Sequence, residues 1–180
     1  MSAAVAALAF AIAGAFAGEV TVRKSYYGFS GENRAEMKSS VAMNGPKGGF
    51  AWGLSFIDFE PEWRTKSDGG VCRLADVRVD LRVEMRLPRW RPGFGAAGAV
   101  PRHARRFMSA IERHEYGHVA IARRYAVELT RRLSALKTSG GCWPLRSMAN
   151  AEREAIKPRH LAAHRAYDNR TSKGLKALLN

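Results

Sequence analysis

Along "VRVDLRVEMRLP" apolar and charged side chains alternate without a break: Val77, Val79, Leu81, Val83, Met85 and Leu87 fall on one side, and Arg78, Asp80, Arg82, Glu84 and Arg86 on the other. A strand has a side-chain period of two, so the pattern predicts a strand with one packed and one wet face, ended by Pro88. Upstream, "FAWGLSFIDF" alternates large Phe50, Trp52, Leu54 and Phe56 with small Ala51, Gly53 and Ser55, which predicts another strand over 50–59. "VTVRKSYYGFSGENRAEMKSS" reads as a short strand, a Gly-Ser turn and a helix starting near Ser30 or Glu32. The Gly45-Pro46 and Gly48-Gly49 pairs then punctuate the chain.

After the Gly/Pro-rich connection "RWRPGFGAAGAVP" the period changes. Phe107, Ile111, His114, His118, Ile121, Tyr125, Leu129, Leu133 and Leu136 recur at steps of three and four, the spacing of one helix face. Arg106, Arg113, Arg124 and Arg131 fall together on the opposite face, which is predicted to be solvated. A last helical region runs from about Ser147 toward Asp168, with Pro158 expected to break or restart it. Strands first and helices after them predict an α+β fold: a single domain over 18–180, with a small antiparallel or mixed sheet packed on the long helix and a C-terminal helix.

Composition narrows the class. At 180 residues the chain can bury one proper core, and 46% apolar with 26% charged residues argues against general disorder. The opening stretch "MSAAVAALAFAIAGAFAG" carries no charged side chain, is short for a membrane span, and offers Ala15-Phe16-Ala17 as small residues for a signal peptidase. Residues 1–17 are therefore read as a signal peptide cleaved after Ala17, placing the protein in the periplasm or outside the cell with no integral span left. The alternative is an uncleaved anchor, because a preceding Lys or Arg is missing. In an exported protein the pair Cys72 and Cys142 predicts one disulfide, the alternative being two unrelated buried thiols. A net charge of +14 favours polyanions, which behind a signal peptide means anionic envelope polymers. Nucleic acid is a minor reading: no zinc-knuckle spacing, phosphate-cradling Gly loop or aromatic RNA-binding signature is present.

The chemistry concentrates in "HEYGH", residues 114–118. Two imidazoles at i and i+4 on a rigid helix can hold one zinc ion, and Glu115, turned slightly off that line, stands where a general base reaches a metal-bound water. Gly117 leaves room beside the metal. The competing reading is a pair of core histidines with a surface glutamate. A catalytic zinc needs a third protein ligand, and "HEYGHVAIARRYAVE" lacks the Gly and His of the metzincin extension. The later candidates are His160, His164 and Asp168, spaced along one predicted helix face that is polar where packing wants apolar residues. Asp168 is the expected ligand, with His164 as the alternative or as a hydrogen-bonding partner. Tyr167 is expected either to hydrogen-bond a developing oxyanion or to pack on the long helix.

At these residues the chain resembles a bacterial family of secreted zinc-dependent proteases, grouped as domain of unknown function 922. The likeness covers nearly all of the chain after residue 17: "YYGFSG", "FAWGLSF", "GGVCRLADVRVDLRVEMRLPRW", the "HEYGH" helix, a later Cys and the closing "YDNRTSKG". That closing segment resembles the family's YDxxTxHG, with Lys173 standing where the pattern has His. The resemblance implies protease-like, zincin-type architecture, and the departure at Lys173 leaves the third bond to His164 or Asp168 or weakens the site.

The expectation from the residues together is an exported zincin-like metallopeptidase acting on peptide or protein substrates. Its substrate would add as a strand to 77–87. Both imidazoles must be neutral to bind zinc, so activity is expected to fall below about pH 6. The rival from another class is a non-catalytic envelope-binding module that keeps the fold and uses its basic surface.

Overall fold

The computed structural model describes residues 18–92 and 98–179. The signal-peptide reading of residues 1–17, with its cleavage after Ala17, lies outside the described residues, as does part of the Gly/Pro-rich connection. In chain order the elements are β1 (Val20–Phe29), α1 (Arg34–Asn44), a 3-10 turn (Pro46–Gly49), β2 (Leu54–Asp68), β3 (Val71–Trp90), α2 (Val100–Ser134), β4 (Lys137–Ser139) and α3 (Pro144–Lys176). This is an α+β fold: a mixed sheet with three helices.

The alternating strand is longer than its charge pattern suggests, and it is central. β3 pairs antiparallel with β2 along one edge; on the other it pairs parallel with β1, Val20 opposite Leu81, and antiparallel with the short β4. Its inner residues Val79, Leu81, Val83, Met85 and Leu87 are buried against the α2 stripe, which contributes Phe107, Ile111, Leu129 and Leu133 to the same core. On the outer face Arg78 pairs with Glu62 at 2.7 Å and Arg82 with Glu60 at 2.7 Å. Exposed pairs of that kind contribute about 0–1 kcal/mol each, against roughly 1.5–3 kcal/mol for each large apolar side chain removed from water, so the inner face decides the packing. With both edges of β3 occupied, the strand 77–87 cannot accept a substrate strand; the outer strands among the described residues are β1 and β2, and β2 is the one that lines the cleft described below.

Several boundaries differ from the expectation. α1 begins at Arg34 because Asn33 caps it, its side chain accepting from the Glu36 amide at 3.0 Å. β2 starts at Leu54 and runs to Asp68, so Phe50 lies before it, 95% exposed. Leu136 lies just past α2. α3 runs unbroken through Pro158, which stands on an exposed stretch of the helix. The carbonyl of Glu154 that loses its amide partner there is on an exposed residue, where water replaces the bond. The predicted solvated arginines Arg106, Arg113, Arg124 and Arg131 are all exposed.

Cys72 and Cys142 form a disulfide, with Cα atoms 5.2 Å apart. It ties the start of β3 to the loop that launches α3, next to the β3–β4 pairing of Val71–Arg73 with Lys137–Ser139. α2 and α3 lie antiparallel: Arg132 meets Glu152 at 2.8 Å, the Tyr125 hydroxyl donates to the Arg159 carbonyl at 3.0 Å, and farther along His118 meets His164. No described helix is long and apolar enough to cross a membrane.

Candidate metal centre and cleft

Because α2 and α3 run in opposite directions, the "HEYGH" turn of α2 faces the "YDNRT" turn of α3. His114 Nε2 and His118 Nε2 are 3.3 Å apart, and Asp168 Oδ1 lies 3.2 Å from the first and 3.0 Å from the second. Those are the three residues able to hold a metal ion together among the described residues. Donors on a tetrahedral ion with bonds of about 2.0–2.1 Å sit about 3.3 Å apart, so the spacing fits without rearrangement.

The hydrogen bonds behind the triad narrow the form of each imidazole. Thr171 Oγ1 donates its proton to the Tyr167 carbonyl at 2.9 Å, so toward His114 Nδ1, 3.1 Å away, it accepts. That places the His114 proton on Nδ1 and leaves Nε2 as a lone pair. His118 Nδ1 lies 2.6 Å from His164 Nδ1, and His164 Nε2 lies 2.6 Å from His160 Nε2. Two assignments satisfy the chain with neutral rings: His118 donates from Nδ1 to His164 and His164 from Nε2 to His160, or each donation runs the other way and His118 Nε2–H donates to Asp168 Oδ1. The first leaves two lone pairs and a carboxylate oxygen converging within 3.3 Å, an arrangement that can receive a cation. Protonating the rings is disfavoured, because burial pushes His118 down to about 4 and lowers His114 as well.

Glu115, in the same cleft as this triad, reaches toward β2. It is buried, and its Oε2 accepts from the Ser55 hydroxyl at 2.6 Å. Burial pushes its carboxyl up to about 7, opposed by the Ser55 bond; a cation in the triad would draw it down again. Gly53 makes this approach possible, since any Cβ there would run into Glu115 Oε1. The small residues Gly53 and Ser55 thus face the helix, and small size is what lets the strand pass close over the glutamate. That role was not legible from the alternation.

Tyr167 stacks on His114, ring centres 4.9 Å apart, and meets His118 edge-on at 5.1 Å. Its hydroxyl end lies over Gly117, where a Cβ would collide with the ring. The room left by Gly117 is therefore filled by Tyr167 rather than kept open beside the metal position. Burial raises the Tyr167 hydroxyl pKa, so it stays a neutral donor. Among the alternatives for a third ligand, Asp168 joins the two Nε2 atoms, while His164 stands behind His118. Lys173 is exposed and does not line the cleft. Ser55 and Thr171 are the site residues that sequence reasoning did not single out, whereas His160, a candidate ligand there, stands behind His164 in the hydrogen-bonded chain.

A cleft of about 690 Å³ opens over the triad, with α2 as its floor and the free edge of β2 and the exposed side of α3 as its walls. His114, Glu115, His118, His164 and Asp168 all line it.

Residues 24–174 match the family described as a bacterial protein of unknown function (DUF922). The chain belongs to this family. The matched span contains the His-His-Asp triad, Glu115 and both cysteines of the disulfide, so the whole candidate site lies within it. No curated protein and no solved structure matches the chain. The family's description states no activity, and the function must be argued from the site.

Proposed function

We propose that this DUF922 member is an exported zinc-dependent metallopeptidase of zincin-like architecture, with His114, His118 and Asp168 as ligands and Glu115 as general base. The observation that carries the proposal is the convergence of two imidazole nitrogens and a carboxylate oxygen on one point, beside a buried glutamate at the floor of an open cleft. Imidazole and carboxylate donors suit zinc, and three protein ligands leave a fourth position for water. Zinc bound there would lower the pKa of a water to about 7 and polarise a carbonyl group.

The remaining work falls to the chain's own residues. Ser55 occupies Oε2 of Glu115, which leaves Oε1 to take a proton from a water over the triad and to return it to the departing amine. Thr171 and His164 hold the ligand imidazoles in the tautomer that presents Nε2. Tyr167 fixes the His114 ring plane by stacking and offers its hydroxyl as a donor near the reacting carbonyl. An extended peptide adds to the edge of β2, which is the strand that reaches Glu115. The uncharged first seventeen residues and the disulfide support an exported location.

The decisive experiment is elemental analysis of chain 18–180 purified without chelators, followed by peptide cleavage. About one zinc per chain is expected, lost in His118→Ala and kept in Glu115→Gln, whose turnover should fall by about 10²–10⁴-fold. Absence of zinc after reconstitution at neutral pH would sink the proposal. Bound zinc with no turnover by the unmutated chain would instead leave a metal-holding binding module on this fold, and equal turnover by Glu115→Gln would remove Glu115 as the base.

A further inference from the structure

The cleft is cationic at both ends and apolar between them. Lys47 and Lys176 line one end, Arg153 and Lys157 the other. Among the described residues no ion pair engages Lys47, Arg153 or Lys176, whereas Lys157 shares Glu154. Apart from Glu115 and Asp168 at the centre, Asp58 is the acidic residue of the lining. It projects from the outer face of β2, opposite Arg82. Between the ends the walls present Leu54, Phe59 and Leu161, with buried Ile156 among the cations of one end, and Phe56 stands on the outer face of the same edge; Leu161 is 53% and Phe56 60% exposed.

These features have a register. At 1.5 Å per residue along α3, Lys176 lies about 12 Å beyond Asp168, and Lys157 and Arg153 lie about 16 and 22 Å before it. An extended peptide advances about 3.3 Å per residue, so one end is reached about four residues from the metal position and the other after about five to seven. A strand added to β2 alternates its side chains, sending one set toward Phe59 and Ile156 and the other toward Phe56.

From this the geometry points to a substrate class: extended peptide segments with large apolar residues around the scissile bond and acidic residues flanking them on both sides. The apolar walls bury the centre, and the paired cations at each end select the flanks and reject basic ones. This rests on the peptidase reading only for cleavage; the docking of the peptide stands on the cleft itself.

The test uses the zinc-loaded Glu115→Gln chain and fluorescent twelve-residue peptides that share one apolar centre and carry Glu, Gln or Lys at both flanks. Fluorescence anisotropy should show the Glu-flanked peptide binding at least about tenfold more tightly than the Gln-flanked one, and the Lys-flanked one more weakly still. Reversal of the cleft charges (Lys47→Glu, Arg153→Glu, Lys157→Glu, Lys176→Glu) should invert the order. An equal change of charge on the far face of α2 (Arg106→Glu, Arg113→Glu, Arg124→Glu, Arg131→Glu) should preserve it, which separates the cleft from bulk basicity. Equal affinity for the three peptides, no binding, or equal effects of the two reversals would overturn the inference. If the order holds while the unmutated chain cleaves none of the peptides, the docking surface stands and the peptidase reading falls. Cleavage without flank preference has the opposite meaning.

Discussion

α2 and α3 are of similar length and lie side by side, yet they are held by different forces. α2 buries eleven residues, nine of them apolar, along one continuous stripe against the sheet. α3 buries only Leu145, Ala149 and Ile156, all in its first half. Past Ile156 its contacts with α2 and β2 are mainly polar: Arg159 meets Glu128 and Tyr125, and His160, His164, Tyr167, Asp168 and Thr171 meet the "HEYGH" turn and Phe59, with Leu175 packed on the core. One helix is positioned by the hydrophobic effect, the other by the disulfide at its start and by the site in its second half. The contrast teaches that the second half of α3 is seated through the candidate site, so any metal held there would be coupled to that seating.

The largest test removes the covalent tie. Cys72→Ser with Cys142→Ser opens a loop of 70 residues and should cost about 4 kcal/mol, read as a lower denaturant midpoint. The loss should be accompanied by faster amide exchange in α3 than in α2. Uniform acceleration in both helices would break the comparison.

Next in size is the polar half of the seam. His164→Leu removes the ring nitrogen that meets His118 Nδ1, and on the zinc reading affinity by chelator competition should drop about 10–100-fold. His164→Asn, which offers an acceptor at nearly the same place, should recover part of it. Unchanged affinity in His164→Leu would show that packing alone orients His118. Gly117→Ala should cost about 1 kcal/mol net, because the collision with Tyr167 outweighs the better helix propensity of alanine. Combining it with Tyr167→Ala should restore the alanine's advantage, and a purely additive double mutant would contradict the contact.

The smallest effect is on pH. Burial keeps His118 and His160 near about 4 and lowers His114 and His164, so the unfolded chain takes up protons that the fold refuses. Their contribution is present above the ordinary histidine value of 6.5 and is lost as pH falls toward about 4. Glu115, raised to about 7, acts in the opposite sense: it stabilises in acid, and that contribution is lost as pH rises through about 7. Four histidines outweigh one glutamate, and the chelator-treated chain should become less stable on acidification. A denaturant midpoint that rises from neutral to mildly acid pH would reverse this sign.

Local patterns carried much of the architecture. The alternation of 77–87, the stripe from Phe107 to Leu133 and the charge of the opposite face each follow from a side-chain period, a property of the chain by itself. So did the pairing of His114 with His118 and the position of Glu115 beside them, since one helical turn specifies both. Which strand lies at the edge did not follow, because β2 and β3 both alternate and only the pairing of β3 with β1, β2 and β4 makes it central. Nor did Pro158 stop its helix, because the exposed side of α3 lets water replace the missing bond.

Asp168 was legible as a candidate among three polar residues on one face, but its choice over His164 belongs to the tertiary structure. The antiparallel seating of α3 brings the carboxylate to the two Nε2 atoms and His164 to the opposite nitrogen of His118. Residues that touch across the fold, such as Ser55 with Glu115 or Gly117 with Tyr167, leave no periodic trace in the sequence. The chain alone determined which turn of helix carries the chemistry. The packing of α3 and β2 around that turn decided which carboxylate meets the two imidazoles, which side chains stand behind them and the open cleft, because each depends on distances between segments that no local spacing encodes.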